Sequence, residues 1–243
     1  MNEEKIKKSK IKKSQSTKKK KQQHTRKYRN QNAEYFNPNF TIRSIPNKGF
    51  GIISSVNIPI NIDVIHETPI IYNRTSAKKY SSYNFYEKNA ILLDQILQNP
   101  EQKTKFLKIT PNKLSPQCVD YSIVKHLHHK YFPTMEKHIF QLYMCKMTRN
   151  VFNFNDLPAI LFYGTLLNHS CEPNVQFRVS DNGKFMTFTT IRPINAGDEV
   201  CDSYLNEETI KHMSLTERQH NLHKQYDFLC TCSRCIREQS TTQ

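Results

Sequence analysis

Apolar and polar positions change rhythm several times along the chain. From Phe40 to Tyr72, short apolar and β-branched runs (Ile52-Ile53, Val64-Ile65, Ile70-Ile71-Tyr72) are separated by Gly, Pro and Asn, which predicts consecutive strands and turns. Between residues 73 and 150 the spacing shifts to three and four. Ala90-Ile91-Leu92-Leu93 with Ile96-Leu97, then Ile139-Phe140 with Leu142-Tyr143-Met144, predict helices. Alternation returns at Val175–Val179 and Phe185–Ile191, two strands joined through Asp181-Asn182-Gly183, and one more short strand leads from Gly197 toward Tyr204. Thr216 to Tyr226, with Leu215 and Leu222, reads as a last helix. The class is mainly β with a helical insert, α+β.

Composition narrows this. A chain of 243 residues, 37% hydrophobic, buries one sizeable core and at most a small appendage. No apolar run approaches the roughly 18 residues that cross a bilayer, and no apolar signal segment follows the charged N-terminus, so the expectation is a soluble intracellular protein without membrane contact. Seven cysteines, an odd number, point to reduced thiols or metal ligands over a disulfide framework. The net charge of +15 is concentrated in a tail. Residues 1–30 hold 13 Lys/Arg against two Glu, leaving 23 basic and 19 acidic side chains beyond them. Residues 1–35 are therefore expected to be a disordered basic tail. Its Lys18-Lys19-Lys20-Lys21 run suits nuclear import or weak, salt-sensitive nucleic-acid contact, or acts only as a solubilising arm.

Candidate chemistry gathers in two places. Leu166-Leu167-Asn168-His169-Ser170-Cys171-Glu172-Pro173-Asn174 breaks from an apolar run into side chains that hydrogen-bond, titrate near neutrality and ligate metal. Cys230, Cys232 and Cys235 offer three soft ligands within six residues, and a closed zinc site wants a fourth from elsewhere: a cysteine, a histidine or a carboxylate. Other candidates read more plainly. Lys48-Gly49-Phe50-Gly51 is a turn where backbone could pass close to a ligand. His126, His128 and His129 read as surface residues, since they lack Cys or Asp partners. Asp198 and Glu199, adjacent on a strand, point to opposite faces and read as turn and surface residues.

The Asn-His-Ser-Cys-x-Pro-Asn stretch resembles the crossover motif of the SET-domain protein-lysine methyltransferases. The likeness extends over about residues 40–236: Lys48-Gly49-Phe50-Gly51 resembles the family's (Lys/Arg)-Gly-x-Gly loop, and Tyr204, seven residues after Gly197, its catalytic tyrosine. The group carrying both SET and MYND modules is the most similar, minus the finger, since no cysteine lies between Met1 and Gln117. The resemblance implies a SET fold of several short β-sheets with a pseudoknot-like crossover over 36–206, a helical insert at about 73–148, a post-SET helix and zinc segment at 207–237, and a disordered 238–243. It implies S-adenosylmethionine held by Lys48, Gly49, Phe50, Gly51, Asn150, Asn168 and His169, with Tyr226 and Phe228 lining the adenine side and the lysine channel. It also makes Cys171 the fourth ligand of a structural Zn2+ with Cys230, Cys232 and Cys235, and Tyr204 the catalytic residue. The turn Pro59-Ile60-Asn61-Ile62-Asp63 departs from the family by lacking a glycine, and only a local change is expected there.

The function so implied is methyl transfer to lysines of histones or other proteins, by a monomer in the nucleus or nucleocytoplasm. Two other readings compete: an inactive SET module serving as a protein- or chromatin-binding scaffold, and a basic nucleic-acid-binding protein with an incidental zinc knuckle.

Overall fold

The computed structural model describes residues 33–71, 83–154, 157–180, 183–206 and 208–240. The basic tail with its lysine run, Tyr72, the first residues of the expected insert and the Asp181-Asn182 turn lie outside the described residues.

The predicted strands form three small sheets. One has the order β1 (Tyr35–Phe36), β4 (Asp63–Glu67), β10 (Met186–Thr190), β9 (Val175–Val179); it opens one residue before the expected boundary. The second has the order β2 (Phe40–Ile45), β3 (Gly49–Ser54), β11 (Glu199–Asp202), β8 (Asn168–His169), and the third β5 (Ile70–Ile71), β7 (Leu157–Ile160), β6 (Val151–Phe154). β11 stops at Asp202, two residues short of Tyr204. Pairing within the sheets is antiparallel except between β8 and β11, where Cys201 faces Asn168 and Asp202 faces His169. In the turn Pro59-Ile60-Asn61-Ile62-Asp63, Asn61 takes φ +64, a left-handed conformation that asparagine tolerates. The sheets close on Phe40, Ile52, Val64, Ile65, Phe188 and Val200, all essentially buried.

Among the described residues, four helices make the insert: α1 (Phe85–Gln98), α2 (Pro100–Lys108), α3 (Tyr121–Tyr131) and α4 (Lys137–Asn150). Asn84, Asn99 and Asp120 cap the first three by accepting backbone N–H bonds. Their inner faces bring Leu92, Leu93, Ile96, Phe106, Leu127, Phe140 and Met144 into a second core. Two expectations need correcting here. His128 is buried, stacked on Phe140 at 4.8 Å and bonded to Tyr121 Oη and Met135 O, because the face of α3 it shares with Val124 turns inward; His126 and His129 are exposed. Cys118 and Cys145 form a disulfide, since packing of the segment before α3 on α4 brings their Cα atoms to 5.3 Å.

The C-terminal segment consists of α5 (Leu215–Tyr226) and α6 (Ser233–Ser240). Ser214 and Glu217 form a capping box at the start of α5, and Asp227 ends it in the left-handed conformation at φ +67. α6 runs past the expected limit at 237, because Glu238 is anchored by Arg218 at 2.6 Å and by Arg234 at 2.7 Å. Only 241–243 of the expected disordered end lie outside the described residues. Among the described residues no helix is long and apolar enough to cross a membrane.

Candidate functional site

The apolar run before the crossover motif ends in a 3-10 turn, Gly164–Leu166, held from behind by Glu67 on β4. Its buried carboxylate accepts the backbone N–H groups of Phe162, Tyr163 and Gly164 at 2.5 to 3.1 Å. The chain then lays Asn168-His169 along β11 and turns sharply. Asn174 stitches the turn down, its Nδ2 donating to Glu199 O and its Oδ1 accepting from Cys201 N, both at 2.8 Å. The proline-asparagine end of the motif thus fastens the crossover to β11.

His169 is 5% exposed and both ring nitrogens are occupied. Nδ1 accepts the Tyr204 N–H at 3.0 Å, which leaves the ring proton on Nε2, 3.3 Å from Cys171 Sγ. Burial, chiefly, lowers its pKa to about 4, so the ring is neutral at physiological pH. Its imidazole therefore serves the protein, leaving only its backbone to face a ligand.

Lys48, Asn168 and Glu199 converge from three segments. Glu199 Oε2 accepts from Lys48 Nζ and Oε1 from Asn168 Nδ2, each at 2.7 Å. Asn168 Nδ2 also reaches Phe50 O at 3.2 Å. Burial alone would lower the Lys48 pKa, but the hydrogen bond and charge of Glu199 outweigh it and raise it. Glu199 is therefore no plain surface residue. The antiparallel register that sets it opposite Ile53 turns its side chain, 17% exposed, toward the glycine loop, and that register was the signal adjacency could not give. Gly51 makes this contact possible: a Cβ there would lie 2.8 Å from Asn168 Nδ2 and 2.9 Å from Glu199 Oε1. Phe50 beside it is 62% exposed, while Gly49 takes φ +80.

Three aromatic rings stand together at the end of β11. Tyr204 lies 4.9 Å from Tyr226 and 6.3 Å from Phe228, and His169 lies 5.4 Å from Tyr204 and 6.0 Å from Phe228. The Tyr204 hydroxyl donates to Leu167 O at 2.8 Å, the last carbonyl before the motif, and Tyr226 donates to Tyr204 O at 3.4 Å. Burial raises the Tyr204 pKa well above the usual phenol range and that of Tyr226 to about 12, so both are neutral phenols.

Cys171, Cys230, Cys232 and Cys235 bring their sulfurs within 4.8 Å of one another, with Cys171 and Cys235 at 3.6 Å. All four are free thiols despite that proximity. Four thiolates around a zinc ion at about 2.3 Å stand about 3.8 Å apart, so the donor set and spacing fit a structural zinc. A wholly buried cation stands beside them. Arg218 places Nη2 3.9 Å from Cys235 Sγ and 2.6 Å from Glu238, and Nη1 donates to Met213 O at 2.7 Å. A zinc ion ligated by four thiolates carries two net negative charges, which this guanidinium opposes. Gln219 completes the frame by bonding both the N–H and the carbonyl of Cys230 at 2.7 Å.

The structure thus gathers Lys48, Gly51, Asn168, His169, Tyr204, Tyr226, Phe228 and the four cysteines around one crossover. Asn150 is engaged elsewhere. As the last residue of α4 it donates to Thr110 O at 2.5 Å and to Lys146 O at 2.8 Å, both within the insert.

The family described as "SET domain" matches residues 49–205. The chain is 34% identical over 205 residues to a SET domain-containing protein of Acanthamoeba polyphaga mimivirus, across 79% of this chain and 75% of that protein. It is 25% identical over 201 residues to histone-lysine N-methyltransferase set5 of Schizosaccharomyces pombe, across 82% of this chain and 51% of the yeast protein. The solved SET domain of LSMT, bound to lysine and AdoHcy, superposes with a TM-score of 0.57 at 14% identity, covering 79% of this chain and 53% of that one; the likeness is one of fold.

Proposed function

This chain belongs to the SET-domain family, and from that premise we propose that it is a protein-lysine N-methyltransferase using S-adenosylmethionine. The observation that carries the reading is the meeting of Tyr204, Tyr226 and Phe228 with the crossover, the glycine loop and the four-cysteine cluster. Lys48, Gly51 and Asn168 would hold the methyl donor, whose sulfonium supplies the methyl group. The four cysteines would hold a structural zinc, which supplies folding energy to the C-terminal segment.

The chain's own residues have two tasks. A lysine amine, with an ordinary pKa near 10.4, must arrive neutral, and desolvation among aromatic faces favours loss of its proton. Its lone pair must then point at the methyl carbon, which is a matter of orientation. Tyr204 suits the second task. Its proton is committed to Leu167 O, so the lone pairs of its oxygen remain to accept an N–H from the incoming amine. As a phenol with a raised pKa it orients and does not act as a base. His169 holds the Tyr204 backbone with one nitrogen and the Cys171 sulfur with the other, joining the phenol to the cysteine cluster. The substrate class is lysine side chains of histones or other proteins, in keeping with the naming of the yeast relative.

Transfer of radiolabelled methyl groups to histones and to a cell lysate tests this, comparing the wild type with Tyr204→Phe. Transfer by the zinc-loaded wild type and a loss of about a hundredfold in the variant are expected. Equal transfer by both would remove Tyr204 from its role. Cofactor binding without transfer by the wild type would instead mark an inactive binding module.

A further inference from the structure

The hydroxyl of Tyr204 is held by one acceptor, Leu167 O. Leu167 lies outside any strand and closes the 3-10 turn: its N–H donates to Gly164 O at 3.1 Å, that of Leu166 to Tyr163 O at 3.0 Å and that of Thr165 to Leu161 O at 3.2 Å. The first N–H groups of such a turn find no acceptor inside it. Here three of them go to one side chain, 95 to 97 positions away in sequence. Glu67 Oε1 takes the N–H groups of Phe162 and Tyr163, and Oε2 those of Tyr163 and Gly164. The turn is also tightly packed, since a Cβ at Gly164 would lie 2.8 Å from Leu161 Cβ. Contacts therefore run without a gap from the carboxylate of Glu67, through the turn, to the phenol.

A carboxylate suits this position and a carboxylic acid does not. Ionised, it only accepts; protonated, it turns an O–H toward N–H donors, and a bond must be given up. Glu67 is buried but borders a cleft of about 560 Å³, so its proton has a route to solvent. The other charged or titratable side chains lining that cleft are Glu34, Glu101, Lys105 and Tyr163. Glu34 holds Thr68 N–H at 3.2 Å and its charge opposes ionisation of Glu67; Lys105 is paired with Glu101 at 2.7 Å. Met186, opposite Glu67 on β10, brings no charge.

We propose that Glu67 is a positioning residue for methyl transfer: its carboxylate fixes the turn that offers Leu167 O to Tyr204, and so aims the phenol oxygen at the incoming amine. The proposal rests on the reading of Tyr204 as the residue that orients the amine, and adds to it what fixes Tyr204. Glu67 touches neither donor nor substrate, and no proton passes along these contacts. Because burial raises its pKa to about 7, the contribution of the phenol should switch on as pH rises through neutrality.

The test is single-turnover methyl transfer to histones by the zinc-loaded full chain, comparing wild type with Tyr204→Phe between about pH 6 and pH 8. Both share the lysine's own loss of a proton, and burial keeps the Tyr204 phenol neutral across this range, so the ratio of their rates isolates the hydroxyl. That ratio should rise about tenfold over the window, as the ionised fraction of a group titrating near neutrality does. A flat ratio overturns the proposal and leaves the methyltransferase reading standing. This comparison uses no Glu67 variant and stands even if Glu67→Gln folds poorly. Where Glu67→Gln binds S-adenosylhomocysteine within about twofold of wild type by calorimetry, it should lower the rate at the upper pH about tenfold in the wild-type background and less than about twofold in the Tyr204→Phe background. Equal losses in both backgrounds would make Glu67 a general strut and overturn the proposal. A wild type that transfers no methyl group at any pH removes the methyltransferase reading, and the proposal with it.

Discussion

In the helical insert, four helices close on Leu92, Leu93, Ile96, Phe106, Leu127, Phe140 and Met144. In the C-terminal segment, two helices gather the buried Leu205, Ile210 and Leu222, with Met213, Leu215 and the aromatic rings partly buried against them, around the sulfurs of Cys171, Cys230 and Cys235, with a sealed arginine beside them. The insert carries enough apolar surface to hold itself by burial. The C-terminal segment carries less: its buried guanidinium is held by Glu238 and Met213 O, and its clustered sulfurs lie close enough for one metal ion to tie them together. Apolar packing is thus the cohesion of one region, and ligation of a metal by the four cysteines would be that of the other; it is the second region that supplies two of the three rings at the candidate active site.

The difference is broken most severely by removing the metal. Chelation, or Cys235→Ser, should forfeit on the order of 10 kcal/mol of binding free energy that is also folding energy. Hydrogen exchange should then show amides of 204–240 opening while those of the insert stay protected; uniform loss across both regions would abolish the contrast. The reverse experiment is Phe140→Ala in the insert, expected to cost about 3–5 kcal/mol in urea unfolding through the cavity it leaves. Zinc stoichiometry of that variant should remain at one per chain.

Glu67 sharpens the contrast at the seam, where β7 leads into the crossover. Burial raises its carboxyl pKa from 4.5 to about 7, against the pull of the Gly164, Tyr163 and Phe162 N–H groups. An acid whose folded pKa lies above its unfolded value binds more protons when folded, so its contribution is present below 4.5 and is lost as pH rises to about 7. Relative to Glu67→Gln, the wild type should lose on the order of 3 kcal/mol over that window, read from urea midpoints at its two ends. A constant difference would show a carboxyl whose pKa is the same folded and unfolded.

What the sequence made legible follows from separation along the chain. Cys230, Cys232 and Cys235 lie within six residues, so their convergence needed no fold; Cys171 needed the family resemblance, and the structure brings its sulfur to 3.6 Å from Cys235. The helix periods in the insert were readable because Leu92, Leu93 and Ile96 share one buried face of α1, and Phe140 and Met144 one of α4. Glu199 was not, since its partners are fixed by strand register across 151 residues, and reading it against its neighbour Asp198 asked the wrong question. The Cys118–Cys145 disulfide likewise depends on how a loop lies on a helix, which no cysteine count foretells. His128 looked superficial beside two exposed histidines, and only the packing of α3 on α4 separates it from them.

The 64-position separation of Cys171 and Cys235 also sets a schedule for synthesis. On the ribosome the crossover cysteine emerges well before its partners, so its thiol waits uncommitted while α5 is still being made. The nascent chain can hold neither Tyr226 nor Phe228 against Tyr204 during that interval. Closure of the site therefore waits for the segment through Cys235, and a ribosome stalled before Cys230 releases a product with the scaffold of the site and none of its closure.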